Sequence, residues 1–288
     1  VLIASIIGLV AVFTVVSNVI VLIALVRSRR EDNRNILSCA RDNGITKLTM
    51  ASMTVVDVLI GMLLTPLFSV DVINKGRWYL GRDLCTARQS LNNVLCSVLI
   101  FNILVMALDK YLAICKPMYY RLLTVRHGYA MVVLSWSIPC VIFTVLDGSG
   151  LSHIGVEDAL VTYDKMHHCA QALNKPVVFT MSITTIVLPY KSEGPCDRNI
   201  QVAQPVAYDN KKNVGRCPNT TVRSRPSHRN LRAYKTIGCI FFCFTLCWVP
   251  SWIFVIIFVY DGFTTTLWAL ILFLFLTYTN AAINPFIY

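Results

Sequence analysis

At 288 residues, with 56% of them hydrophobic and only 14% charged, the chain is too apolar for an ordinary soluble domain, in which about a quarter of residues carry charge. Lipid as solvent admits only helices or closed barrels, because hydrocarbon cannot hydrogen-bond a backbone; the apolar runs here are long and lack the period-2 alternation of barrel strands. The net charge of +11 lies mainly in segments between those runs, and reads as a membrane-side and acidic-partner charge rather than as nucleic-acid binding.

A helix needs roughly 20 residues to cross about 30 Å of hydrocarbon. In chain order the apolar segments predict seven spans, at about 1–27, 47–71, 85–115, 128–147, 174–190, 231–260 and 265–288. The first has no charged n-region and no small-residue cleavage site, so it reads as a span rather than a signal peptide. The stretch Arg27–Lys47 is a charged first loop. The fifth span is short, apolar from Pro176 to Tyr190 and then polar at once from Lys191. Residues 191–230, rich in Pro, Asn, Ser, Lys and Arg, predict a disordered third loop on the same side as the first. The whole, 1–288, reads as one membrane domain whose N- and C-terminal tails are absent, the core of a longer protein. The expected fold class is an all-α membrane protein, a seven-transmembrane helix bundle.

Charge sets the orientation. With the N-terminus outside, 20 of the 26 Lys and Arg fall on the cytoplasmic face and 6 outside, as the positive-inside rule requires. The sequon Asn219-Thr-Thr then lies inside, and a chance occurrence is the plainer reading of it. Of the 11 cysteines, only Cys85 and Cys169 fall on the outer, oxidising face. A disulfide between them would tie the top of the third span to the second outer loop.

Several stretches recur in a recognisable order: Ser17-Asn18; Ala51-Ser-Met-Thr-Val-Val-Asp57; Cys85 followed by Asp109-Lys110-Tyr111; Trp136; Phe244-Thr-Leu-Cys-Trp-Val-Pro250; and Asn284-Pro-Phe-Ile-Tyr288. Together they resemble the rhodopsin-like G-protein-coupled receptors over essentially the whole chain. Trp78-Tyr-Leu-Gly before Cys85, and the stretch from Asn280 to Tyr288, look like the biogenic-amine and trace-amine branch.

The resemblance implies a multi-pass plasma-membrane receptor for a small extracellular ligand, with a heterotrimeric G protein as inner partner. It implies a ligand cavity lined by Asn92, Asn93, Cys96 and Ser97 on the third span and Ser182 and Thr185 on the fifth. Trp248, Ser251 and Trp252 on the sixth and Tyr278 on the seventh complete it. Spacings of three and four place each set on one helical face. Amine receptors carry an Asp where this chain has Asn92, and an amide hydrogen-bonds an ammonium without neutralising it. Asp71 and Asp147 are possible substitutes, though solvated rim residues is the plainer reading. Retinal is excluded, since residues 265–288 contain no lysine for a Schiff base.

At mid-membrane Asp57 must face the bundle interior or water. With Asn18, Asn280 and Asn284 it forms either a hydrogen-bonded network or the sodium pocket the resemblance implies, a bound sodium ion being the only cofactor expected. Leu99 stands where the family has a Ser. Pro250 and Pro285 kink their helices, and Ile100, Pro189, Phe244, Trp248 and Tyr288 match the family's activation switch. At the inner end Asp109, Lys110 and Tyr111 occupy the G-protein-coupling motif, with Lys110 in place of the usual Arg. Lysine keeps the charge and loses the planar fork. That substitution and the short fifth span leave open an atypically coupled or non-signalling receptor-like protein. A transporter would want inverted repeats or several membrane-buried charges, of which only Asp57 is evident. There is no nucleophile–base pair, metal spacing or nucleotide loop of an enzyme.

Overall fold

A computed structural model describes residues 2–34, 44–120, 122–151, 154–165, 167–169, 174–179, 238, 242–243, 245–257 and 267–287. Ten helices can be followed in these residues: α1 (Leu2–Arg34), α2 (Gly44–Leu59), α3 (Thr65–Ile73), α4 (Arg82–Cys115), α5 (Pro117–Tyr120), α6 (Val125–Gly148), α7 (Glu157–Lys165), α8 (175–179), α9 (Thr245–Ile257) and α10 (Leu267–Ile287). Among the described residues four stretches are long and apolar enough to cross a membrane: Ile3–Arg30, Gly44–Ile73, Arg82–Ala113 and Val125–Gly148. The 21 residues of α10 suffice to span as well. Most of the predicted fifth span and the third loop, with Asn219, lie outside the described residues.

The charged first loop is shorter than expected. Helix α1 continues to Arg34 and α2 begins at Gly44, so Arg27, Arg29 and Arg30 ride on helix rather than on loop. A hydrogen-bonded helix leaving the bilayer keeps its ladder when the polar side chains that follow can reach water. The second, third, fourth and seventh spans fall within a few residues of expectation, whereas much of the predicted sixth, 231–260, lies outside the described residues.

The second span is not one regular helix. Residues Ile60–Leu64 form a π turn between α2 and α3. Pro66, in the next turn, has no N–H to give and its ring crowds the carbonyl four residues back. The wider π turn relieves that crowding, and the freed Ile60 carbonyl accepts from the Thr65 N–H and, at 3.1 Å, from the Thr65 hydroxyl. Gly61 sits inside this turn against α1. A Cβ there would lie 2.9 Å from Val15 Cγ2, so only glycine admits this approach.

Helix α2 is central, packing on α1, α4 and α6, while α1 also meets α3 and α10. Phe13 stacks on Phe286 across the α1–α10 seam with centroids 5.8 Å apart. The apolar core runs along α2, α3, α4, α9 and α10 through Met53, Leu64, Phe68, Leu95, Val98, Met106, Trp248 and Tyr278. Leu9, Val12 and Ile20 of α1 and Val133 and Val141 of α6 are exposed apolar side chains, as lipid-facing positions require. Cys140 of α6 is exposed among them. Polar pins cross the core: Trp136 Nε1 donates to Ser52 Oγ at 3.0 Å, and Ser135 donates to Asn102 Oδ1 at 3.3 Å. In a medium that offers no water such bonds fix helix register.

Candidate ligand cavity and transmission core

At the outer end the chain builds a cap before any cavity begins. Gly81 precedes α4 with φ of 86°, a left-handed conformation that glycine adopts without strain. Its carbonyl accepts from Trp78 Nε1 at 2.7 Å, and the Trp78 backbone N–H donates to the His167 carbonyl at 2.6 Å. Cys85, in the first turn of α4, is bonded to Cys169.

Beneath the disulfide, Arg88 is buried and fully engaged. It pairs with Asp71 of α3, donates to the Cys169 carbonyl at 3.2 Å, and lies 4.7 Å from the centre of the Trp78 ring. Asp71 is therefore not the solvated rim residue the sequence suggested: it is 7% exposed, drawn inward by the Arg88 guanidinium. Asp147, half-buried on α6, accepts from Ser90 of α4. Arg88 carried a signal that sequence reading passed over, a lone arginine in an apolar span one turn above Asn92.

One turn down, Asn92 meets α10. Tyr278 donates its hydroxyl to Asn92 Oδ1 at 3.2 Å, and Cys96 Sγ lies 3.7 Å from the same oxygen. The Tyr278 ring stands edge-on to Phe68 at 5.4 Å. Asn93 and Ser97 are half-buried on the neighbouring stripe of α4. Trp248 is buried in the same apolar cluster as Cys96 and Tyr278, with Trp252 packed against it. Ser251 returns its hydroxyl to the Cys247 carbonyl at 3.1 Å. Trp252 Nε1 is a buried donor without a partner among the described residues. Asn92, Cys96, Tyr278, Trp248 and Trp252 are thus gathered by one cluster; Ser182 and Thr185 lie outside the described residues.

Below this floor the four mid-membrane residues are all buried, Asn18 and Asp57 completely. Asn284 Nδ2 donates to Asp57 Oδ2 at 2.9 Å, and Asn18 Nδ2 bridges to the Ala281 carbonyl of α10 at 3.0 Å. Three buried oxygens, Asn18 Oδ1, Asp57 Oδ1 and Asn280 Oδ1, have no hydrogen-bond partner among the described residues. Unpaired oxygens of this kind, one of them on a carboxylate, fit a hard cation such as sodium. Leu99, 2% exposed, brings no oxygen. Of the activation-switch positions, Ile100 is buried, Pro250 and Pro285 are half-buried within α9 and α10, and Pro189, Phe244 and Tyr288 lie outside the described residues.

At the inner end Asp109 is 3% exposed and accepts a 2.6 Å hydrogen bond from the Thr46 hydroxyl of α2. Tyr111 is half-buried. The Lys110 side chain lies outside the described residues. Thr46 went unnoticed in the sequence because a threonine at the start of an apolar span is common.

Comparison with known proteins agrees with this architecture. A profile described as "7 transmembrane receptor (rhodopsin family)" matches residues 17–288. Trace amine-associated receptor 13c of Danio rerio is 26% identical over 244 residues, covering 84% of this chain and 71% of its own. Trace amine-associated receptor 4 of Rattus norvegicus is 28% identical over 251 residues, with coverage of 84% and 71%. The 5-hydroxytryptamine receptor 4 of Cavia porcellus is 28% identical over 301 residues, with coverage of 97% and 73%. The chain belongs to the rhodopsin family of seven-transmembrane receptors, multi-pass helical bundles of the plasma membrane that are receptors and not enzymes.

Proposed function

We propose that the chain, with its N-terminus outside, binds a small extracellular molecule between the third, fifth, sixth and seventh spans and passes the event to a heterotrimeric G protein inside. The observation that carries this reading is the Tyr278–Asn92 hydrogen bond, which joins α10 to α4 within the cluster that holds Trp248. A ligand inserted at that bond competes for it and alters how α10 and α9 rest on α4. Both helices contain a proline, Pro285 and Pro250, at which they can pivot. Signalling then needs only different ligand affinities for the two arrangements. In the core, Asn18, Asp57, Asn280 and Asn284 would hold a sodium ion, whose charge would balance the buried carboxylate.

Relatives are named for trace amines and 5-hydroxytryptamine, but this chain places an amide at Asn92. The ligand that suits it is a small molecule read by hydrogen bonds rather than an ammonium neutralised by a carboxylate at that position. The test is to express the full-length chain, screen small amines and other metabolites, and measure G-protein activation directly. A response abolished by Asn92→Ala supports the reading. Glycosylation of Asn219 in cells would overturn the orientation.

A second reading rests on Lys110 and on the polar turn of the sequence after Pro189: a receptor-like protein that binds without signalling, or couples atypically. Ligand binding with no G-protein activation selects it. Increased stimulated signalling by Lys110→Arg would show the lysine to be the cause.

A further inference from the structure

We propose that the outer part of the cavity binds a small zwitterion, an α-amino acid with an aromatic side chain, whose ammonium pairs with Asp71 and whose carboxylate pairs with Arg88. The proposal rests on the ligand-binding reading above and names the ligand class of that same site.

Arg88, Asn92 and Cys96 recur at intervals of four and so stand one above another on a single stripe of α4. At the top of the stripe Arg88 engages Asp71 through one carboxylate oxygen, Oδ2. The other oxygen, Asp71 Oδ1, is buried and has no hydrogen-bond partner among the described residues. A buried carboxylate oxygen in that condition is costly, and a donor arriving from outside relieves it. One turn below, Tyr278 donates to Asn92, and Arg88 and Asp71 both lie within electrostatic reach of that Tyr278 hydroxyl. The ion pair and the amide are therefore parts of one site. Asp147 is not a third member. It is held by Ser90, which is two residues from both Arg88 and Asn92 and so stands about 200° around the helix from each.

Charge balance selects the ligand. The Arg88–Asp71 pair is neutral as a unit. A lone ammonium that took Asp71 would leave the buried guanidinium facing a second cation, and a lone carboxylate on Arg88 would strand Asp71 in the same way. A molecule that carries both charges side by side supplies a partner for each and keeps the site neutral. Asn92 fits this scheme, since an amide adds hydrogen bonds without charge, whereas a carboxylate there would repel the ligand's own. Below Asn92 the surroundings turn apolar through Cys96, Phe68, Tyr278 and Trp248, with Trp252 packed against them. The step from the charged level to the apolar one is about one helical turn, roughly 5 Å, which suits an amino-acid head joined to a ring through one methylene.

The full-length chain would be placed in phosphatidylcholine nanodiscs and its affinity measured for two matched triplets. One is L-phenylalanine, phenethylamine and hydrocinnamate; the other is L-tryptophan, tryptamine and indolepropionate. In at least one triplet the amino acid should bind about tenfold or more tightly than either singly charged analogue. Arg88→Gln leaves Asp71 alone and should turn the order in favour of the amine, while Asp71→Asn should turn it in favour of the acid. The double variant Asp71→Asn/Arg88→Gln keeps shape and hydrogen bonding and should erase the preference. Thermal unfolding without ligand reports whether each variant is folded, and the wild-type order needs no variant. A pair that only pins α3 to α4 would weaken all three members in parallel. That result, a wild-type preference for the amine, or no binding of either amino acid overturns the proposal. G-protein activation on the same samples separates it from the receptor reading. Activation by amines or uncharged analogues without preference for the amino acid overturns this proposal alone. Preferred binding of the amino acid without activation supports it and fails the signalling reading.

Discussion

Thr46 donates its hydroxyl to Asp109 Oδ2 at 2.6 Å, so the first turn of α2 holds the carboxylate of the motif at the inner end of α4. That bond involves Asp109 and Thr46 alone and is present in a chain that carries Lys110 after Asp109. It ties the inner end of α4 to α2 whatever residue follows Asp109.

Removing it should loosen the inner face. Thr46→Val keeps the shape and deletes the donor, at a cost of about 1.5–3 kcal/mol for a bond to a charged group. Basal G-protein activation is expected to rise and the melting temperature to fall, with Thr46→Ser restoring both. Unchanged basal activity in Thr46→Val alongside a normal response to ligand would show that this bond does not restrain the inner face.

The disulfide offers a stability test. Cys85 and Cys169 are 84 residues apart in sequence, and closing a loop of that length restricts the unfolded chain by about 4.5 kcal/mol in the chain-entropy account. Its loss would also free the loop whose Cys169 carbonyl holds Arg88. Cys85→Ser and Cys169→Ser should each lower surface expression and melting temperature sharply. The double variant should be no worse than either alone. Additive losses would mean that the sulfurs act separately.

How far such features could be read from sequence follows from their physics. Spans were legible because about 20 apolar residues in a row have few other uses, and Asp57 stood out because a carboxylate in hydrocarbon is costly. The disulfide followed from topology alone. The π turn at Ile60–Leu64 was not legible, since Pro66 signals strain without saying whether a helix kinks, ends or widens. Asp71 was misread because its position near a span end suggests water, while its burial depends on Arg88, a partner from a different helix. The Thr46–Asp109 bond spans 63 residues and rests on packing no local pattern encodes.

The mid-membrane cluster makes a prediction about salt. Three buried oxygens lack partners among the described residues, so a cation binding them should stabilise the folded state. At ten times its dissociation constant, sodium would add about 1.4 kcal/mol. Wild-type melting temperature should rise when choline chloride is replaced by sodium chloride at equal ionic strength. In Asp57→Asn the increment should vanish, because an amide keeps the hydrogen bonding but has no charge for the ion. An identical sodium increment in both proteins would count against an ion at Asp57 and favour a hydrogen-bonded network.

The Tyr278–Asn92 bond gives the last test, since it separates a change of ligand class from loss of the cavity. Tyr278→Phe removes one hydrogen bond and keeps the ring against Phe68, so it should cost about 0.5–1.5 kcal/mol in stability. Asn92→Asp is the sharper change. A carboxylate there would still accept from Tyr278, and it would add a negative charge in a site where the buried Arg88–Asp71 pair contributes no net charge. Affinity for primary arylethylamines should rise at least tenfold, about 1.4 kcal/mol, while affinity for uncharged analogues of the same shape stays level or falls. Radioligand competition with matched amine and alcohol pairs reads the difference. Equal gains for both members of a pair would mean that the substitution reshaped the cavity. No change for either would place the ligand away from Asn92.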